Sequence, residues 1–144
     1  MSTHPDIELV TRYYENMNDR ALERYDDTHH PDVALWSVGG VEAAGIDAVR
    51  AFDSVWLTAS SDFHVEGIFH LAGDGRVVCH NRALGTHDGV LRLPDGTEVA
   101  ATGATIGGPY FASFEVRGGK IASESVYFDR MLIAEQVGLV PAPA

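Results

Sequence analysis

The segment YFDRMLIAEQ (residues 127–136) places an acid at the junction of two predicted elements. Residues 120–128 alternate like a β-strand and residues 130–137 have the spacing of a short helix, so Asp129 lies between them. The two residues before it are aromatic. Such an acid has two interpretations: it is the N-cap of the helix, or it lies in an apolar pocket that raises its pKa and acts as a general acid or base.

Other side chains could complete a catalytic site around this acid. A carboxylate that removes a proton next to a carbonyl needs a donor for the enolate oxygen. His87 in the segment GTHDG, Tyr110 and Tyr14 are candidate donors, although His87 could instead bond a backbone carbonyl at the rim of the sheet. Asp129, His87 and Tyr110 are the candidate catalytic residues. The predicted substrate-binding residues are Tyr14, Trp36, Phe52, Trp56, Asn81, Phe114 and Tyr127.

Metal, disulfide and phosphate chemistry have no supporting pattern. The chain has 7 His residues, but no pair has metal-ligand spacing with an accompanying acid cluster. Cys79 is the single cysteine, so no intrachain disulfide can form, and its apolar surroundings predict a buried small side chain. No glycine-rich phosphate loop and no nucleophile elbow occurs. The sequence therefore predicts neither a metal nor a cofactor.

Composition bounds the class of protein. The 144 residues predict one domain over 1–144, with its core over about 5–140. The formal net charge is −11 and Lys and Arg form no run, which argues against nucleic acid and an anionic membrane as partners. No apolar stretch approaches the ~20 residues of a membrane span. The first ten residues lack the pattern of a signal peptide, so we expect a cytoplasmic protein.

Hydrophobic periodicity predicts an α+β fold. Apolar spacing indicates helices over residues 5–17, 20–28 and 45–60, with a strand at VALWSV between the second and the third. From Asp62 onward the pattern is antiparallel strand, with hairpins at GDG and RGGK and a final short helix. We expect a cone-shaped, curved antiparallel sheet packed on three N-terminal helices and enclosing a pocket, where small molecules usually bind.

Strand alternation then predicts which side chains enter the pocket. The phase of residues 120–128 is set by assuming that Asp129 points inward. The predicted inner residues are Ile121, Ser123, Ser125, Tyr127, Tyr110, Ala112, Phe114, Cys79, Asn81 and Ala83. The predicted outer residues are Glu124, Val126, Phe128, Phe111, Ser113, Glu115, His80 and Arg82. Buried polar groups cost free energy unless paired, so an inner face that mixes Asp, Asn and Ser with aromatics favours a ligand pocket over a plain core.

Several segments resemble the SnoaL-like polyketide cyclases. They are GIDAVRAF, GTHDG, GGKI, and YFD followed by EQVGL, and the resemblance covers residues 7–141. It implies the cone fold of nuclear-transport-factor-2-like proteins, which ketosteroid isomerase and limonene epoxide hydrolase share. In those cyclases an Asp seven residues before the Gln of a QLG motif is the proposed general acid/base, and Asp129, Gln136 and Gly138 match this spacing.

The sequence also departs from its relatives. The Gln and His that the family often has on the strand before GKI fall at Tyr110 and Ala112. The Tyr of ketosteroid isomerase would match Tyr13, but its base and its second acid fall near Ser37 and Ala112, which disfavours steroid isomerisation. Whether Ala112 means lost or altered catalysis stays open.

The resemblance implies a cofactor-independent enzyme with Asp129 as general acid/base. The expected substrate is a small hydrophobic molecule bearing a carbonyl, in secondary metabolism, and the expected reaction is a cyclisation, isomerisation or dehydration. The alternatives are a non-catalytic ligand-binding or scaffolding module of the same fold, or an epoxide-opening hydrolase or cyclase. The substrate and its stereochemistry stay open.

The predicted outer face also suggests self-association. Phe111, Val126 and Phe128 would expose a contiguous apolar surface, which is unusual in a monomer. Relatives with this fold commonly pair through that face. We therefore expect a homodimer, in which Glu115 and Glu124 lie near Arg82 and His80 and set the register.

Overall fold

The protein, described here over residues 4–143 by a computed structural model, comprises three α-helices, one 3-10 helix and eight strands within those residues. The helices are α1 (Pro5–Asn18), the 3-10 helix (Leu22–Asp27), α2 (Ile46–Ala59) and α3 (Arg130–Gln136). The strands are β1 (His29–Ser37), β2 (Val41–Ala44), β3 (His64–Gly73), β4 (Arg76–Thr86), β5 (Leu91–Arg92), β6 (Glu98–Val99), β7 (Thr105–Arg117) and β8 (Lys120–Phe128).

Six strands form one curved sheet in the order β2-β1-β8-β7-β4-β3. All neighbours pair antiparallel except β1 and β8, which run parallel. Register shifts in the β1–β8, β3–β4 and β7–β8 pairs mark bulges, which bend the sheet. The short strands β5 and β6 form a separate hairpin. The α+β class with a curved sheet and helices on one face is confirmed.

The two long helices follow the predicted apolar stripes. Pro5 stands in the first turn of α1, and this helix buries Leu9, Val10, Tyr13, Tyr14 and Met17. The helix predicted over residues 20–28 is the 3-10 helix, and the strand predicted at VALWSV is longer and pairs with β2. No helix within the described residues is long and apolar enough to span a membrane.

The inner faces of β7 and β4 are as predicted. Ala112 and Phe114 are buried, as are Cys79, Asn81 and Ala83, whereas Phe111 and Arg82 are exposed. Burial raises the pKa of the Cys79 thiol to about 12, which agrees with its reading as a buried small side chain.

The predicted phase of β8 is wrong beyond Ile121, because the strand carries a bulge. Gly118 and Gly119, both at positive φ, turn the chain so that Arg117 pairs with Lys120 and Val116 with Ile121. The next pair is Glu115 with Ser123, so Ala122 is one extra residue in β8. A one-residue insertion turns every later side chain to the opposite face of the sheet.

The bulge brings three predicted outer residues to the helix side of the sheet. Phe114 pairs with Glu124, Ala112 with Val126 and Tyr110 with Phe128, and cross-strand partners share a face. Ser123, Ser125 and Tyr127 therefore lie on the outer face, where the Tyr127 side chain is 49% exposed.

Candidate active site

A cavity lies between the three α-helices and the concave face of the sheet. Its space, counted out to its open mouth and including open solvent there, is about 640 Å³. Most of the lining is aromatic or aliphatic. The lining residues that carry polar groups are Tyr13, Tyr14, Asp53, Tyr110, Glu124 and Asp129.

Five predicted site residues meet in this cavity: Tyr14, Phe52, Trp56, Tyr110 and Asp129. Phe52 and Trp56 come from α2, where helical spacing places both on the side that faces the sheet.

The other five predicted site residues do not line the cavity, which corrects their placement. Trp36 and Tyr127 lie on the outer face of the sheet, with their ring centroids 5.0 Å apart. Asn81 and Phe114 are fully buried but are not part of the lining.

His87 is also fully buried outside the cavity lining. Its Nδ1 lies 2.9 Å from the Thr102 hydroxyl, and its backbone N–H donates to the Ala104 carbonyl. The chain reaches His87 just after β4 ends, so strand alternation does not set the direction of its side chain.

Asp129 has both of the properties that the sequence left as alternatives. It is the N-cap of α3, because its Oδ1 accepts a hydrogen bond of 3.0 Å from the Leu132 N–H. It also lines the cavity while remaining exposed, so it stands at the mouth. The cap bond uses one carboxylate oxygen and leaves Oδ2 for a ligand.

Two further carboxyl groups, which the sequence interpretation missed, line the same cavity. Asp53 on α2 is 3% exposed and Glu124 on β8 is 2% exposed. No Lys, Arg or His nitrogen of residues 4–143 lies within 4 Å of either group. His29, which packs against Tyr13 with ring centroids 4.7 Å apart, supplies no charge, because burial lowers its pKa to about 4.

Hydrogen-bond geometry links these carboxyl groups through Tyr13. The hydroxyls of Tyr13 and Tyr25 each donate to Asp53 Oδ2 over 2.7 Å. The Tyr13 oxygen also lies 3.5 Å from Glu124 Oε1. A phenol has only one proton, and Tyr13 gives it to Asp53 at the shorter distance. The contact from the Tyr13 hydroxyl to Glu124, at 3.5 Å, is at the outer limit of hydrogen-bond distance.

Burial and the charge of Asp53 both favour the protonated form of Glu124. Desolvation is the largest cause that raises its pKa well above the ordinary value of 4.5, and the charge of Asp53 raises it further. Desolvation also raises the pKa of Asp53 to about 6, although the bonds from Tyr25 and Tyr13 oppose this. Burial therefore favours the protonated form of both carboxyls, and the charge of one disfavours ionisation of the other.

The cavity phenols keep their protons. Burial raises the pKa of Tyr13, Tyr14 and Tyr110 above the ordinary value of 10. Tyr14 and Tyr110 can therefore donate to an oxygen of a bound molecule.

The signal for Asp53 was present in the sequence. The residue continues the apolar stripe of α2, four positions after Val49 and three before Trp56, so it lies on the buried side of the helix. The signal for Glu124 was hidden, because the bulge at Ala122 leaves no clear mark in the amino-acid sequence.

The Gln of the EQVGL segment positions α3 rather than lining the cavity. Gln136 Oε1 accepts from the Gly107 N–H at 2.9 Å, and its Nε2 donates to the Gly107 carbonyl at 2.8 Å. Gly107 has a φ of +109°, and a Cβ there would collide with the Ala83 carbonyl oxygen, so glycine is required. This contact fixes the helix whose cap is Asp129.

Within residues 4–143, no group of three or more His, Cys, Asp or Glu side chains is arranged to hold a metal ion. The polar groups of the cavity are instead carboxyls and phenols, which are suited to moving protons.

The chain belongs to the SnoaL-like polyketide cyclase family, whose model matches residues 7–137. This assignment agrees with the fold and with the resemblance found in the sequence.

Solved structures share the fold over nearly the whole chain. A candidate SnoaL-like polyketide cyclase from Jannaschia sp. CCS1 has a TM-score of 0.83 at 18% identity, covering 98% of this chain and 99% of that one. IdmH, a candidate polyketide cyclase from Streptomyces antibioticus, has a TM-score of 0.77 at 18% identity, covering 94% and 99%. AclR, a candidate hydroxylase from Streptomyces galilaeus, has a TM-score of 0.80 at 19% identity, covering 96% and 84%. At these identities the likeness shows the fold alone.

A longer protein contains a related segment. A candidate glutamate–cysteine ligase 2-2 from Frankia casuarinae is 32% identical over 108 residues. That match covers 69% of this chain but only 12% of the ligase, so the chain spans a small part of that relative.

Proposed function

We propose that the protein is an enzyme that performs acid–base chemistry, without a cofactor, on a small hydrophobic molecule bearing a carbonyl group. The observation that carries this proposal is the pair of buried carboxyls, Asp53 and Glu124, that faces the same cavity as Asp129. Cyclisation, isomerisation and dehydration all begin with removal of a proton next to a carbonyl, and membership of the cyclase family favours cyclisation.

Each carboxyl has a role that its surroundings support. The exposed Asp129 carboxylate takes the proton from the carbon beside the carbonyl through its free Oδ2, and the C–H electron pair becomes the enol double bond. The carbonyl oxygen receives a proton from Glu124, whose pKa burial raises well above the ordinary value. Tyr13 and Asp53 hold Glu124 in place. In a cyclisation the enol carbon then forms a C–C bond to a second carbonyl carbon of the same molecule, and the first C=O bond re-forms as the enol O–H returns its proton to Glu124. The π pair of the second carbonyl moves to its oxygen, which takes the proton held by Asp129 and becomes a hydroxyl.

The first half of this chemistry can be tested without the natural substrate. The probe is 2-tetralone, an apolar ketone, and the measured quantity is the rate at which its α-hydrogens exchange with D2O, followed by NMR. We expect the protein to accelerate this exchange, and Asp129→Asn or Glu124→Gln to lower the acceleration about 10²–10⁴-fold, the usual contribution of a positioned acid or base.

Glu115→Gln is the matched control. Glu115 lies on the outer face of the sheet and pairs with Arg76 at 2.9 Å, so its loss should leave the exchange rate unchanged. No acceleration by the unchanged protein, or equal rates in all variants, would overturn the proposal and favour a non-catalytic binding module.

We also propose that the protein forms a homodimer through the outer face of the sheet. Trp36, Phe69, Phe111 and Tyr127 are each 39–49% exposed there. Phe111 is paired with Tyr127, and His80 stacks on Phe111 with ring centroids 4.5 Å apart, so aromatic side chains cross the face from β1 to β3. Such a contiguous patch is large for a monomer, and two-fold symmetry makes one patch complementary to itself.

The predicted contribution of Glu124 to this interface is wrong, since its side chain lies in the cavity. Light scattering at micromolar concentration should give about twice the chain mass of 15.5 kDa. Phe111→Asp should give a monomer, and Met131→Asp, which places the same charge on exposed α3, should stay dimeric. A monomeric unchanged protein would refute this interface.

A further inference from the structure

A second depression lies next to the cavity, between α2, α3, the β1–β2 turn and β5. We call it the groove. Its space is about 950 Å³, counted out to solvent, and its lining is apolar apart from two arginines. Residues that line only the groove include Val38, Val55, Leu93 and Ala134.

The groove and the cavity share a wall. Phe52, Trp56, Phe128 and Ile133 line both spaces. Of the adjacent residues Asp129 and Arg130, the first lines the cavity and the second lines the groove. A molecule that reacts beside Asp129 can therefore extend along this aromatic wall into the groove.

The two arginines of the groove differ in their partners. Arg92 pairs with Glu98 at 2.7 Å. For Arg130, no carboxylate of residues 4–143 lies within 4 Å. Its guanidinium lies over the β1–β2 turn, where a Cβ on Gly39 would be 2.8 Å from Arg130 Nε. Gly39 thus leaves room for the guanidinium, and its φ of +89° also favours glycine.

The Arg130 guanidinium thus stands at the edge of an apolar groove, and Asp95, whose pKa its charge helps to lower, forms no ion pair with it. Its planar donors match the two oxygens of a carboxylate, and the apolar groove beside it would bury a hydrocarbon chain.

We propose that the groove binds the remote end of an elongated apolar substrate and that Arg130 binds a carboxylate at that end. The inference rests on the proposed function only in placing the reactive end of the same molecule in the cavity. It narrows the substrate class to extended apolar carbonyl compounds that carry a terminal carboxylate.

Binding to the full chain tests this proposal without turnover. The probes are dodecanoate and dodecanol, which have the same chain length but differ in charge, titrated calorimetrically at pH 8 below the concentration at which dodecanoate forms micelles. We expect dodecanoate to bind about 10-fold more tightly, as one charge-assisted contact of about 1.4 kcal/mol would give. Arg130→Gln should remove this preference and leave dodecanol affinity unchanged. Arg12→Gln, on the exposed part of α1, should preserve it.

A second variant tests the location. Ala134→Trp should fill the groove and weaken both long-chain probes at least 10-fold, while acetophenone, which is small enough for the cavity alone, binds as before. Equal affinities of the two long-chain probes, an equal loss of both in Arg130→Gln, or unchanged binding in Ala134→Trp would each overturn the proposal. Failure of the 2-tetralone exchange would instead refute the acid–base function and leave the result of these titrations standing.

Discussion

Two acidic regions of one cavity differ in their exposure and in their hydrogen-bond partners. At the mouth, Asp129 is exposed and bonded to the first turn of α3. In the interior, Asp53 and Glu124 are almost completely buried, and phenols are their hydrogen-bond partners. Desolvation in the interior raises the pKa of both buried carboxyls. The comparison shows that one cavity gives the same type of side chain two different surroundings.

The largest expected effect on stability comes from the interior region. Asp53→Ala leaves the buried hydroxyls of Tyr13 and Tyr25 without their acceptor. Each unpaired group costs about 1–3 kcal/mol, so the free energy of unfolding should fall by about 2–5 kcal/mol in urea titrations. A loss below about 1 kcal/mol would mean that the hydroxyls find other partners and that this network is not a rigid unit.

The interior carboxyl pair should give the stability a pH dependence of defined sign. The pKa of Asp53 rises from an ordinary 3.8 to about 6 on folding, and that of Glu124 rises from 4.5. The folded state therefore binds more protons, and this contribution to stability is present below about pH 4 and is lost as pH rises through the folded pKa values. For Asp53 alone the loss is about 3 kcal/mol.

The measured quantity is the difference in unfolding free energy between pH 5 and pH 8. A control variant is needed because other groups oppose this trend. The lowered pKa of His29, about 4, makes stability fall with decreasing pH between about 6.5 and 4. Subtracting the double variant Asp53→Asn/Glu124→Gln from the unchanged protein isolates the pair. If the double variant keeps the same pH dependence, the two carboxyls are not the groups that titrate.

The smallest effect should be at the mouth, where capping and catalysis can be separated. Asp129→Ala removes the cap of α3 and should cost about 0.5–2 kcal/mol. Asp129→Ser keeps an oxygen acceptor for the Leu132 N–H and should cost only a few tenths of a kcal/mol, while it removes the carboxylate. For Asp129→Ser we therefore expect urea unfolding to show nearly unchanged stability and 2-tetralone exchange to be slowed. Retained exchange in this variant would limit Asp129 to a structural role.

Local patterns predicted much of this architecture. The apolar stripes placed α1 and α2, glycine pairs marked the turns, and the junction at Asp129 was located correctly. Alternation also gave the buried faces of β4 and β7. These features depend on neighbours a few residues apart along the chain, and a single sequence carries that information.

Which residues line the cavity depended on contacts between parts of the chain that are far apart in sequence. His87, Trp36 and Tyr127 had suitable side chains but lie elsewhere, while Asp53 and Glu124 were assigned no role and line the cavity. Alternation is reliable only as long as the strand stays regular, and one inserted residue reverses it.

The sequence by itself determined the types of group available, the α+β class and the acid that caps the last helix. Only the tertiary structure decided which acids share a cavity and which of them are desolvated. The extra residue in β8, Ala122, turned Glu124 inward, and the packing of α1 against β8 then placed it beside Tyr13, the phenol that donates to Asp53. Protonation depends on desolvation and on distances between groups up to 111 positions apart in the chain, and no local pattern encodes those quantities.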